Sequence, residues 1–197
     1  MSEIELQLSE REWKLNLCKV KYSEYERAIQ RFGYTGHIQD QSLQELQDVI
    51  NFDLGKAKNR NDIYHYYYQS PYIFNKGDYK SRQLLLMGYI LTSHESKKQA
   101  ANAMWGLVNP EMKETVSKKE LKEFLMNLCD YAVETPHQFQ NFQSSDDDLE
   151  LYLNELQMKK EEMIDRLVGQ LDREIDELTI TKKVYLHPFK SQPRLEY

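Results

Sequence analysis

Apolar residues recur at helical spacing along most of this chain, and short polar segments separate the recurrences. Cys18, Tyr22, Tyr25, Ile29 and Phe32 step by four and three along one face of a first long helix, which the capping box Ser9-x-x-Glu12 opens. Leu43, Leu46 and Ile50 mark a second helix. A short third, Ile63 to Gln69, is stopped by Ser70-Pro71. Ile63, Tyr64, Tyr67 and Tyr68 give it an inward face, although tyrosines this dense also suit an aromatic recognition surface. The stretch QLLLMGYILTS, from Gln83, is apolar nearly all round, as in a central element or one that meets a partner. Two more stripes follow: Ala100, Ala101, Met104, Trp105 and Val108, then Leu121, Phe124, Leu125, Leu128 and Ala132. After Val133 the segment ETPHQFQNFQSSDDD reads as a linker containing Pro136. A long amphipathic helix then runs from Leu149 to Leu178, its seam formed by Leu149, Leu153, Leu156, Met163, Leu167, Leu171, Ile175 and Leu178 and interrupted by Lys160. It docks on the body or, as the sharper alternative, forms a coiled coil with a partner. From Pro188 to Tyr197 periodicity is lost, and Pro188 and Pro193 exclude a helix; an extended tail anchored by Phe189 is expected.

Three of the polar segments share a layout. Residues 31–42, 72–83 and 109–120 are each twelve long, lie between apolar helices, and start 41 and 37 residues apart. Gly36 and Gly77 take the sixth position, and Ile38, Tyr79 and Val116 take the eighth. Glu120 closes the third segment and Leu121 opens its exit helix. Helix, twelve-residue loop, helix resembles the EF-hand superfamily. With a fourth match that places Ile180 and Tyr185 at positions 8 and 13, the chain is similar to four-hand proteins of the calcineurin-B and neuronal-calcium-sensor kind. That last match lacks a turn glycine and has Val184 where the bidentate glutamate belongs. The resemblance spans residues 10–135 and, on fewer matches, 136–187. It implies an all-α fold of paired helix–loop–helix units plus a long C-terminal amphipathic helix. One pair would occupy 9–94 and a second 95–187, with 188–197 as the tail. It also implies that eighth positions pair across a two-stranded bridge, and that each lobe can open an apolar groove for a partner's helix.

Calcium chemistry is largely missing from these loops. Such a loop needs oxygen ligands at positions 1, 3, 5, 9 and 12 and glycine at 6. The first has no carboxylate at 1, 3, 5 or 12, and the second has Tyr72, Phe74 and Gln83 at 1, 3 and 12. In the third, Asn109, Glu111, Ser117 and Glu120 have oxygens to offer. However, Lys113 puts an ammonium at position 5, Glu114 replaces the glycine, and Pro110 stiffens position 2. A capping box, Ser117-x-x-Glu120, accounts for Glu120 without an ion. The expectation is therefore no metal and no cofactor.

Composition narrows the function further. The chain has 197 residues, 40% apolar and 29% charged, with a net charge of −6 and a pI near 5.5, which disfavours nucleic acid as a partner. MSEIELQLSE is acidic and without the apolar core of a signal peptide. The longest apolar run, Leu84 to Leu91, is too short to span a bilayer, so no membrane role and a cytoplasmic location are expected. Cys18 and Cys129 each fall on a helical stripe and read as buried free thiols. His37, His65, His94, His137 and His187 are scattered without ligand spacing, and no phosphate loop or nucleophile motif occurs, which argues against an enzyme. Ser144 to Asp148 reads as the solvated start of the long helix. The expected function is a non-catalytic, calcium-independent adaptor or structural subunit of a hetero-complex that binds an amphipathic helix of a protein partner. Degenerate EF-hand subunits of this size occur in large cytoskeletal assemblies, including the axoneme of cilia. The residues expected to meet the partner are Leu84, Met87, Ile90, Leu91, Trp105, Phe124, Leu128 and Phe189. The alternatives are a calcium sensor with one residual site at 109–120 and an unrelated all-helical scaffold.

Overall fold

The computed structural model describes residues 2–143, 147–172 and 179–186. They are mostly helical, with two small sheets, and divide into two compact units. The first unit takes Met1–Ser93 and Asp130–Met158, and the second takes His94–Cys129 and Lys159–Tyr197.

The first unit begins with α1 (Glu3–Trp13), capped by Ser2, whose hydroxyl accepts the Glu5 amide while the Glu5 carboxylate accepts the Ser2 amide. The expected start at Ser9 is thus corrected, since Ser9 lies inside this helix. Leu15 and Leu17, two apart and both fully buried, cannot share one helical face. The chain resolves this by turning at Asn16, left-handed at φ 55°, into a single 3-10 turn at Leu17–Lys19. That turn leaves Cys18 exposed rather than on a buried stripe, and Cys129 is half-buried. Helix α2 (Tyr22–Phe32) then buries Tyr22, Tyr25, Ala28 and Ile29.

Strand β1 (His37–Gln39) runs directly into α3 (Asp40–Glu45), followed by α4 (Gln47–Ile50), α5 (Leu54–Lys58) and α6 (Ile63–Tyr68). Helix α6 turns Ile63, Tyr64, Tyr67 and Tyr68 inward. Strands β2 (Phe74–Asn75) and β3 (Asp78–Lys80) form a hairpin, and β3 runs directly into α7 (Ser81–Leu91). The sheet order is β1-β3-β2, all antiparallel, with Ile38 opposite Tyr79. Helices α2 and α7 cross at Gly88. A Cβ there would come within 2.3 Å of the Tyr25 ring, so only glycine allows this approach. Ser93 ties the end of this stretch to the start of α2, accepting the Tyr22 amide and donating its own to the Val20 carbonyl, each at 2.9 Å.

The second unit opens on α8 (Lys97–Val108), whose N-cap Ser96 accepts the Gln99 amide. Strand β4 (Thr115–Ser117) runs directly into α9 (Lys118–Gln143). After α10 (Asp147–Asp172), strand β5 (Thr179–Thr181) runs directly into α11 (Lys182–Tyr185). Strands β4 and β5 are antiparallel with Val116 opposite Ile180, both buried. The Trp105 and Tyr185 rings lie 5.3 Å apart, and Lys122 pairs with Asp165.

Two expectations about the C-terminal half are corrected. The segment after Val133 is no linker, because α9 continues through Pro136 to Gln143. A proline inside a helix costs about 3 kcal/mol. Burial of Tyr131 in the core of the first unit works against that cost. In the seam of α10 Leu149 and Leu153 are buried as expected and Leu156 is intermediate, but Met163 is half-exposed while Ile164 and Val168 are buried; the side chains of Leu167 and Leu171 lie outside the described residues. The two halves of α10 belong to different units, so one heptad register does not describe both. Residues 144–146, 173–178 and the tail with Phe189 lie outside the described residues. No helix among the described residues is long and apolar enough to cross a membrane.

Candidate functional site

The loop from Asn109 to Glu120 gathers its polar groups around one residue. The Asn109 amide oxygen accepts the Lys113 backbone N–H at 2.9 Å, and its Nδ2 donates to the Lys113 carbonyl at 2.7 Å. The Lys113 ammonium lies 3.0 Å from a Glu111 carboxylate oxygen and 3.5 Å from one of Glu120. The other Glu120 oxygen accepts both the amide and the hydroxyl of Ser117 at 2.8 Å, and Ser117 Oγ accepts the Glu120 amide at 3.1 Å. This is a reciprocal capping box at the start of α9. The two Ser117 hydrogen bonds, then the Lys113 charge, hold the Glu120 carboxyl below its usual range. The Glu111 carboxylate, then Glu120, pushes the Lys113 ammonium up. The backbone of the loop produces this. Pro110 precludes a regular helix, Met112 takes a left-handed backbone at φ 52°, and Lys113 is thereby turned back over the loop.

The other two loops close by backbone bonds instead. In the second, Lys76 at φ 49° and Gly77 at φ 96° make the tight turn between β2 and β3, both left-handed as a two-residue hairpin requires. Lys80 donates to the Ile73 carbonyl at 2.7 Å, one further rung of the hairpin. In the first, Gly36 at φ 87° reverses the chain, and its carbonyl accepts the Ser81 amide at 3.0 Å. Ser81 also donates its hydroxyl to the Gly33 carbonyl at 3.3 Å, so the first residue of α7 is fixed to the first loop. No three His, Cys, Asp or Glu side chains among the described residues are placed to hold a metal ion.

No protein-family model, curated protein or solved structure matches the chain.

Of the residues expected to meet a partner, Leu84, Met87 and Leu91 lie in the core of the first unit, with Ile90 packed partly against it. They become available to another chain only if that unit opens. In the second unit Trp105 and Phe124 are buried and Leu128 is half-buried. The apolar side chains the structure leaves in solvent are others. Met112 (91%) and Tyr34 (87%), on the loops, are the most exposed, and among the helices Trp13 on α1 and Leu151, Met158 and Met163 on α10 are each at least half exposed. Leu151 and Met158 stand seven apart on one face of α10, a spacing readable in the sequence but eclipsed there by the stronger leucine seam.

The first unit also buries polar groups unevenly. Tyr64 donates to the Leu15 carbonyl at 2.9 Å and receives Asn51 Nδ2 at 3.1 Å, while Asn51 also donates to Leu15. Tyr67 donates to the Glu12 carboxylate at 2.8 Å, yet burial raises that carboxyl above its usual range, outweighing the hydrogen bond. The hydroxyls of Tyr25 and Tyr68 are buried with no hydrogen-bond partner, and burial pushes both phenols well up. A shallow surface cavity of about 220 Å³ lies beside His65, Tyr66, Gln69, Ser70 and Pro71. His65 Nδ1 meets the Ala57 carbonyl at 2.9 Å, which ties the ring to α5.

Proposed function

We propose that the chain is a degenerate four-hand EF-hand-like protein acting as a calcium-independent adaptor or structural subunit that holds an amphipathic helix of a protein partner. One observation carries the reading. The eighth residues of the twelve-residue loops face each other in pairs, Ile38 with Tyr79 and Val116 with Ile180. Each of these four strands also passes straight into a helix. Unrelated helical scaffolds have no reason to repeat that register twice, so it favours paired hands over the alternative of a generic scaffold. The loops at 31–42, 72–83 and 109–120 supply the calcium-independent part: in these three, the chain's own bonds close the loop. The fold class then points to the apolar interiors of the two units, around Leu84, Met87, Ile90 and Leu91 in one and Trp105, Phe124 and Leu128 in the other, as the surfaces a helix would enter. A place in a cytoskeletal or axonemal assembly follows only from analogy of fold.

Isolation of the complex from native cells tests this. The reading expects a stoichiometric protein partner that stays bound in chelator and in calcium alike. A monomer carrying a small molecule, or a partner gained only with calcium, would end it.

A further inference from the structure

We infer that Lys113 is the resident cation of the 109–120 loop: its ammonium takes the place of a metal ion and keeps the loop closed permanently. The inference rests on the proposed EF-hand-like reading and deepens it. At the ligand positions of this loop stand Asn109, Glu111, Lys113, Ser117 and Glu120, and the bonds of the four oxygen-bearing residues run to Lys113 or among themselves. Asn109 holds the Lys113 backbone from both sides. Glu111 and Glu120 hold its ammonium at 3.0 and 3.5 Å. The remaining Glu120 oxygen is taken by Ser117. A divalent cation entering here would have to displace an ammonium already between the same two carboxylates, and would meet like-charge repulsion from it. A Glu120 side chain drawn inward is how an ion ties the end of such a loop to its exit helix. Here Ser117 and Lys113 together hold Glu120 in without one, so the start of α9 stays fixed whatever the calcium concentration.

Three full-length proteins test the inference: the native chain, Lys113→Gln and Lys113→Arg, with amide exchange followed in chelator. Removing the charge should speed exchange at Ser117 and Glu120 about two- to fivefold while α2 and α7 keep their protection, and arginine should restore it. Equal protection in native and Lys113→Gln proteins would overturn the inference. A fourth protein, Lys113→Asp with Glu114→Gly, replaces the ammonium with a ligand oxygen and supplies the turn glycine. Calorimetric titration with calcium should give saturable heat in this variant, none in the native chain, and none once Glu120→Gln is added. Heat from the native chain, or a folded variant that takes up no calcium, would contradict the ion-replacement role and leave an ordinary salt bridge. None of these outcomes bears on partner binding, which is judged separately on the isolated complex.

Discussion

Ile38 stands directly opposite Tyr79 across the β1–β3 ladder, and both side chains are buried. The two residues come from segments that share a layout in the sequence, so their meeting joins two helix–strand–helix units into one core. Truncating either side of such a pair should be costly. Ile38→Ala is expected to destabilise the first unit by about 2–4 kcal/mol and Val116→Ala the second by about 1–3 kcal/mol. Denaturant unfolding followed by unit-specific amide signals checks both. A loss under half a kcal/mol would mean that the ladder is peripheral to the fold.

The buried tyrosines separate into hydroxyls with partners and hydroxyls without. Tyr68→Phe should leave stability unchanged or raise it by up to ~1 kcal/mol, because it removes a buried polar group that bonds to nothing. Tyr64→Phe should cost about 1 kcal/mol or more, since that hydroxyl links Leu15 and Asn51. Equilibrium unfolding of the two variants side by side gives the comparison. The reverse order would refute the hydrogen-bond assignment.

Gly88 permits the α2–α7 crossing. Gly88→Ala would force its new methyl against the Tyr25 ring, and a loss of about 1–3 kcal/mol is expected despite the better helix propensity of alanine. Tyr25→Leu in the same chain opens space and should recover part of that loss. Thermal melts of the single and double variants decide whether the two positions are coupled.

Glu12 sets a pH dependence whose sign is fixed by its raised carboxyl. Ionising it costs the native state more than the unfolded one. The cost is absent below the ordinary value of 4.5 and grows as pH rises from there through the raised value. Glu12→Gln keeps an acceptor for Tyr67 without the charge, so its melting temperature should gain on the native chain as pH increases over that range. Glu12→Ala leaves the Tyr67 hydroxyl without its acceptor and should lose about 1–3 kcal/mol. A difference between native and glutamine proteins that is flat with pH would show that the carboxyl is not perturbed.

The parts of the fold set by local spacing were legible in the sequence. Gly36 and Gly77 marked the left-handed turns, Ile38, Tyr79 and Val116 the buried strand centres, and Ser117 with Glu120 the cap of α9. What could not be read depended on contacts made at a distance. Ser9-x-x-Glu12 has the form of a helix start, but Ser2-x-x-Glu5 has it too, and only the break at Asn16 shows where α1 belongs. Pro136 signals an end to helix, and the packing of Tyr131 into a core built from residues far earlier in the chain works against that signal. Met163 fits the leucine seam by spacing, yet Ile164 and Val168 are buried instead, because the two halves of α10 answer to different surroundings. Lys113 was recognised as hostile to calcium, but its contacts with Glu111 and Glu120 required the turn at Met112, which no residue type announces.

Thermal unfolding of the native chain in millimolar calcium and in chelator most directly tests the claim that these paired loops hold themselves without metal. A native-state site of micromolar affinity would add about 4 kcal/mol at that concentration, an upward shift of several degrees that grows with calcium. Coincident curves are the predicted result. A melting temperature that climbs with calcium, and loses the climb in Glu120→Gln, would contradict it.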